Sequence, residues 1–304
     1  MQPRAVIVAN PAAGGGRARH LAKHSWDRLN ALGVDTTLHL PESLHDLAHV
    51  LKELGEGEAV SVIACGGDGT VHQVLQTAAS HNMPLGIIPA GTGNDIARSL
   101  GIPSKAKEID SVLSKIAGLL HGNKSTRVDA NTISQDTGST WSLGVISAGF
   151  DSAVNERANH MTRGQGTVRY VLALLAELVP FNLHHFEVCI DGEPRSGSAL
   201  LIAVGNGGSY GGGMRICPNA SMTDGLLDIT WVDSAPRRTV LRLFPHIYSG
   251  RHVHHDLVHT YRATEISFLT PDSMIYADGE PVGTTPVRIN VQPRSVTILW
   301  ESPG

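Results

Sequence analysis

Charge is scarce in this chain of 304 residues: Asp, Glu, Lys and Arg make up 17%, where about a quarter is usual. Lys plus Arg number 24 against 28 Asp plus Glu, a formal balance of −4. The basic footprint that nucleic-acid phosphates demand is therefore missing, and no nucleic-acid partner is expected. Cysteine is nearly absent. Cys65, Cys189 and Cys217 form an odd set without zinc or disulfide spacing, which predicts reduced thiols and a cytoplasmic setting. No apolar run approaches the roughly 18 residues of a membrane span; the best, Tyr170 to Phe181, is interrupted by Glu177 and closed by Pro180. The opening run AVIVA is too short for a signal-peptide core and leads into a glycine-rich turn, so the expectation is a chain that begins with structure. Repeats and low-complexity tracts are missing too. What is present, 41% hydrophobic residues, suffices for sizeable cores, and the length predicts about two domains.

Up to about residue 125, short β-branched runs alternate with helical patterns. The runs are 5–10, 34–40, 59–65 and 85–90, and the amphipathic stretches between them are 17–32, 43–54 and 70–79. This βαβαβαβ order predicts an open parallel α/β sheet over 1–127, with ligand chemistry at the C-terminal ends of its strands. Beyond it most segments alternate as half-buried antiparallel strands do: FEVCI, ALLIAVGN, LLDITWVD, TEISFLT, SMIYA, VRINV and SVTILW. A mainly β domain is expected over 128–304, interrupted by helices at 168–178 and 237–248. Its final strand can return to the first domain.

The strongest local signal is CGGDGT, Cys65 to Thr70, between an apolar strand and a helical pattern. Gly66, Gly67 and Gly69 let backbone approach an anion, and the helix start favours phosphate. Asp68 among them would repel phosphate unless a cation intervenes, which suggests Mg²⁺ or a network-holding role. Taken alone, the segment reads as a Gly/Asp turn in which Asp68 or Thr70 caps a helix. Two further strand ends alter that balance. PAGTGNDIAR places Gly91, Thr92 and Gly93 at a strand-to-helix junction, and NPAAGGGRA does the same with Asn10, Gly14, Gly15 and Gly16. Three glycine turns on one edge of a parallel sheet would line a groove for a polyphosphate or nucleotide. None has Walker or dinucleotide-fold spacing.

In these motifs the chain resembles the diacylglycerol kinase catalytic family, in particular its bacterial lipid-kinase branch. The residues that carry the likeness are NPAAGGG at 10–16, GGDGT at 66–70, PLGIIPAGTGNDIARSLGIP at 84–103, VGNGGSYGGGMRICPNASMTDGLLDI at 204–229 and DGEP at 278–281. The resemblance implies a two-domain kinase: an N-terminal α/β domain, a C-terminal antiparallel β-sandwich, and ATP with Mg²⁺. It places Asn10, the turn at 14–16, Gly66 to Thr70 and the Gly91-Thr92-Gly93 turn at the nucleotide. A threonine that family members often carry near the second strand is replaced here by Leu40, Pro41 and Glu42. The resemblance also implies a structural Mg²⁺ on the Asp224 carboxylate and the Ser221 and Leu226 carbonyls, with Asp95 and Asp129 reaching it through water. From the residues alone, that stretch is a Thr-Asp-Gly turn opening a strand.

Phosphorylating an alcohol needs a base for its proton, and the resemblance selects Glu280 in YADGEPVG. The chain carries its own control, since Asp191-Gly192-Glu193-Pro194 repeats the same four letters, and Asp-Gly between alternating strands is also a common hairpin signal. The clusters His184-His185 and His252, His254, His255 and His259 include one pair, His252 and His254, on one face of an expected strand; a third zinc ligand is missing. The expected activity is transfer of the ATP γ-phosphate to a lipid hydroxyl, with diacylglycerol the leading acceptor, Glu280 as base and Asp68 at the nucleotide. The alternatives are an NAD kinase-like enzyme, a sphingoid-type lipid kinase and a non-catalytic nucleotide-sensing adaptor. The lipid partner implies reversible contact with the inner face of the membrane, for which Arg169 to Phe181 is the candidate segment. A homodimer is compatible with the sequence.

Overall fold

The computed structural model describes residues 2–57, 61–136, 138–149 and 184–301. The expected helix at 168–178, and with it the candidate membrane segment, lies outside the described residues. The chain packs as two units, Met1–Val128 with Arg294–Gly304, and Asp129–Pro293.

The first unit is built on β1 (Arg4–Ala9), β2 (Asp35–His39), β3 (Val62–Gly66) and β4 (Leu85–Pro89), all parallel in the order β4-β3-β1-β2. Every residue of β3 and β4 is buried, which is why these strands read as continuous apolar runs rather than alternating ones. The crossovers carry α1 (Arg17–Ala31), α2 (Leu44–Glu56) and α3 (Asp68–Ser80). Ser43 caps α2 by accepting from the Asp46 amide at 3.1 Å, and Leu47, Leu51 and Leu54 form its buried stripe. A five-residue helix, α4 (Asp95–Ser99), follows β4. Next comes α5 (Ile109–His121), absent from the sequence reading, which buries Ile109, Val112, Leu113, Ile116 and Ala117 at helical spacing.

The second unit is antiparallel. Its strands are β5 (Thr126–Gln135, which starts in the first unit), β6 (Gly138–Ser142), β7 (Val145–Gly149), β8 (His184–Ile190), β9 (Glu193–Gly205), β10 (Leu227–Asp233), β11 (Val258–Ala263), β12 (Glu265–Phe268), β13 (Met274–Ala277), β14 (Glu280–Thr284) and β15 (Val287–Ile298). Helix α6 (Arg237–Ser249) interrupts them. The first half of β9 pairs with β8, and its second half with β7 and β10. One strand thus serves both layers of a sandwich. Alternate residues meet in its core, including Ile146 and Ala148, Val188 and Ile190, Ile229 and Trp231, and Val287, Ile289 and Val291. Phe186 and Phe268 meet edge to face there, centroids 6.1 Å apart.

VRINV and SVTILW, expected as two strands, are largely one: β15 runs through Arg294, which takes φ 50° within it. The far end of β15 belongs to the first unit, where Ile298 pairs in parallel with Leu85 of β4. Lys115 of α5 holds that end, 4.6 Å over the Trp300 ring and 2.9 Å from Glu301. Among the described residues no helix is long and apolar enough to cross a membrane.

Candidate active site

Because β4, β3 and β1 are neighbours and parallel, the three glycine turns leave the same edge of the sheet side by side. They also touch. A β-carbon on Gly91 would sit 2.5 Å from the Gly67 Cα, and one on Gly14 would sit 2.4 Å from the Ala90 carbonyl oxygen. A β-carbon on Gly66 would strike Thr70 Oγ1 at 2.2 Å. These glycines let three turns interlock, and Thr70 is buried beneath Gly66 rather than presented outward. Gly15 and Gly16 behave differently: both are left-handed, at φ 69° and 89°, with nothing within 4 Å of the β-carbon position. Here the backbone itself faces open space. Thr92 is exposed, and Gly69 and Gly93 are half-buried.

Side chains fix the turns. Asn10 Oδ1 accepts from the Ala12 amide at 2.9 Å, and Arg17 Nε donates to the Gly14 carbonyl at 2.9 Å. Asn94, at φ 52°, closes the third turn on both sides of Gly91. Asp68 lies in the first turn of α3, yet its Oδ1 accepts from the Ile96 amide of α4 at 3.0 Å. The sequence left open whether Asp68 caps a helix; the helix it caps is the neighbouring one, which ties the second turn to the third. Asp95 is buried and pairs with Arg98, whose Nη2 also donates to the Gly93 carbonyl at 3.0 Å.

One signal escaped the sequence reading. Helix α1 begins with Arg17, has Gly16 as its N-cap, and carries neither a side-chain cap nor an acid in its first turn. A cation at the positive end of a helix is unfavourable by about 0.3–1 kcal/mol, and the Arg17 amide finds its acceptor in the Ala13 carbonyl of the preceding turn rather than in a side chain. A bound anion offsets the charge cost. Near the departure from the family pattern, Glu42 is exposed and pairs with Arg19 at 3.2 Å.

In the second unit both Asp-Gly pairs are two-residue hairpins with left-handed centres: Asp278 and Gly279 at φ 56° and 88°, Asp191 and Gly192 at 45° and 87°. The turn reading is right for both, and the two aspartates do similar work. Asp278, buried, accepts from Ser142 Oγ at 3.0 Å and the Gly144 amide at 2.7 Å. Asp191 accepts from the Thr264 amide and hydroxyl and from the Glu265 amide. The glutamates differ. Glu193 is exposed, whereas Glu280 is half-buried on a hairpin whose turn is locked from below.

The residues implied as metal ligands lie on one turn before β10. Asp129, fully buried, holds it: its Oδ2 accepts from the Gly225 amide at 2.7 Å and its amide donates to the Met222 carbonyl at 2.7 Å. The Asp224 carboxylate is already engaged, with Oδ1 accepting from the Leu226 amide at 3.1 Å and Oδ2 paired with Arg262. Arg262 Nε also lies 3.7 Å from Asp228, whose carboxyl is pushed up by burial, pulled back by Arg262 and raised again by Asp224. As arranged, the Asp224 carboxylate is met by a guanidinium rather than offered to an ion. Arg262→Ala leaves Asp228 buried without its countercharge, a cost of about 1–3 kcal/mol. Its Tm should fall by about 2–4 °C per kcal/mol in calorimetry, while EDTA should leave the wild-type Tm unchanged. A fall in the wild-type Tm on EDTA treatment would show that an ion holds this turn.

The histidine pair expected on a strand lies instead on the 3-10 turn Arg251–His254. His252 is buried, with Nε2 3.1 Å from the Ile216 carbonyl, and burial pushes its pKa down; His254 is exposed. Alternation cannot separate a strand from such a turn when one residue faces the core and the next but one faces water. Among the described residues no three His, Cys, Asp or Glu side chains are grouped to hold a metal. Burial pushes the Cys65 and Cys217 thiols up to about 12, so neither is a nucleophile at neutral pH.

Residues 4–133 match the diacylglycerol kinase catalytic domain, and residues 144–300 match the YegS C-terminal NAD kinase beta sandwich-like domain. A protein of Mycobacterium tuberculosis named diacylglycerol kinase is 39% identical over 298 residues, 97% of this chain and 94% of that one. A diacylglycerol kinase of Bacillus subtilis is 27% identical, covering 93% and 91%. The crystal structure of a diacylglycerol kinase from Bacillus anthracis superposes with a TM-score of 0.71 at 20% identity, covering 98% of this chain and 97% of its own, a likeness of fold. Glycine turns interlocked on a parallel sheet, an antiparallel sandwich behind them in sequence, and relatives matched over nearly their full length agree: the chain belongs to the diacylglycerol kinase family, phosphotransferases with an alcohol as acceptor.

Proposed function

We propose that the protein transfers the γ-phosphoryl group of ATP to the primary hydroxyl of diacylglycerol, giving phosphatidic acid, at the cytoplasmic face of a membrane. The observation that carries the reading is the phosphate cradle of the first unit: three interlocked turns, open backbone at Gly15 and Gly16, and an α1 N-terminus with neither a side-chain cap nor an acid in its first turn. Mg²⁺ accompanies the nucleotide as the phosphates' countercharge. The acceptor hydroxyl oxygen forms a bond to the γ-phosphorus as the bond from that phosphorus to the ADP oxygen breaks, and the hydroxyl proton passes to the Glu280 carboxylate. Asp68 keeps the second and third turns in register for the phosphates.

The test is γ-labelled ATP with diacylglycerol, a sphingoid base and monoacylglycerol in mixed micelles, and NAD as a soluble acceptor. Label should appear in phosphatidic acid and follow the surface fraction of diacylglycerol more than its bulk concentration. Label in NAD alone, or in the sphingoid base alone, would overturn the assignment of acceptor.

A further inference from the structure

Between Ser234 and His255 the sequence holds four arginines, four histidines and no aspartate or glutamate, in a chain with a balance of −4. Helix α6 and the 3-10 turn Arg251–His254 fold this stretch back on itself through Gly250, which is left-handed at φ 73°. Between them opens a cleft of about 490 Å³, lined by Thr239, Arg242 and His246 from the helix and by Arg251, His254 and His255 from the turn, with no carboxylate in its wall. One side of α6 is used inward: Val240, Phe244 and Ile247 pack with Leu200 and Met214. The outer side mixes charge with apolar area: Arg238, Arg242 and His246 are exposed there. Leu241 and Tyr248 are 48% and 38% exposed, two turns apart on one line with exposed Pro245 between them.

Each half of this surface is costly in water alone. Arg238 stands in the first turn of α6, where no acid offsets the helix dipole, and Leu241 and Tyr248 leave apolar area exposed on the same face. A free phosphate would pair with Arg238, Arg242 and Arg251 and leave the apolar line exposed. An uncharged bilayer would do the opposite. A surface that presents phosphates above acyl chains answers both. We infer that α6 and the turn after it are the face by which this protein lies on a bilayer of anionic phospholipid, with Leu241, Pro245 and Tyr248 in the interface and Arg238, Arg242 and Arg251 on lipid phosphates. The inference rests on the lipid-kinase reading for its purpose and names the surface that would serve it.

The full-length protein would be sedimented with phosphatidylglycerol–phosphatidylcholine vesicles and with phosphatidylcholine vesicles alone, beside the mixed-micelle kinase assay. Wild type should bind the anionic vesicles, weaken as salt rises and ignore the neutral ones. Each arginine at an anionic surface contributes roughly fivefold in affinity, so Arg238→Glu, Arg242→Glu and Arg251→Glu together should lose at least about 100-fold with Tm and ATP affinity retained. Leu241→Asn should weaken binding at constant charge. A triple variant with wild-type Tm that binds as wild type does would overturn the inference, as would equal binding to neutral vesicles. Release of wild type by inorganic phosphate, but not by chloride of equal ionic strength, would also overturn it and make the cleft a phosphate site. Binding through α6 without phosphorylation of any lipid would sink the kinase reading and leave the docking face standing, whereas diacylglycerol turnover with binding indifferent to the triple variant would do the reverse.

Discussion

Glu280→Gln is expected to lower kcat by about 10²–10⁴-fold, the range in which a positioned general base contributes, while the affinity for ATP stays near that of wild type. Glutamine keeps the shape and loses the basicity. The internal repeat makes the test stringent, because Glu193→Gln changes the same letter in the same kind of hairpin and should leave kcat and KM unaltered. Both turns are locked by their aspartates, Asp278 on Ser142 and Gly144, Asp191 on Thr264 and Glu265, so hairpin chemistry alone cannot separate the glutamates. Their surroundings do: Glu280 is half-buried and Glu193 exposed. Steady-state kinetics with labelled ATP on both variants reads the difference, and equal losses would remove Glu280 as the base.

At Asp68 two substitutions divide position from charge. Asp68→Ala removes the acceptor of the Ile96 amide, which should cost about 0.5–2 kcal/mol, as loss of a helix cap does. Calorimetry should then show Tm falling by about 2–4 °C per kcal/mol, with turnover abolished as the second and third turns slip relative to each other. Asp68→Asn keeps an oxygen for Ile96 and discards the charge, so its Tm should stay near wild type. If the carboxylate also acts through the cation that accompanies ATP, the asparagine variant loses turnover and binds Mg-ATP less tightly, with metal-free ATP binding little changed. An asparagine variant as active as wild type would reduce Asp68 to a cap joining two turns.

Much of the first unit was determined by local sequence. Its β-branched runs, its helical stripes and its glycine punctuation are decided within a few residues, because propensity and periodicity act at that range; β1 to β4 and α1 to α3 lie where those patterns put them. The alternation in the second half likewise announced antiparallel strands, since only a period of two buries one face of each. Tertiary structure decided what depends on partners far along the chain. That Gly14, Gly66, Gly67 and Gly91 serve contact between turns while Gly15 and Gly16 stay open follows from which strands are neighbours. Asp224 meets Arg262, 38 residues on, because the register of β10 against β11 sets Asp228 opposite Arg262. A single sequence writes neither register nor neighbour order into any window, for both are settled when long-range burial outweighs the entropy of closing the loops between them.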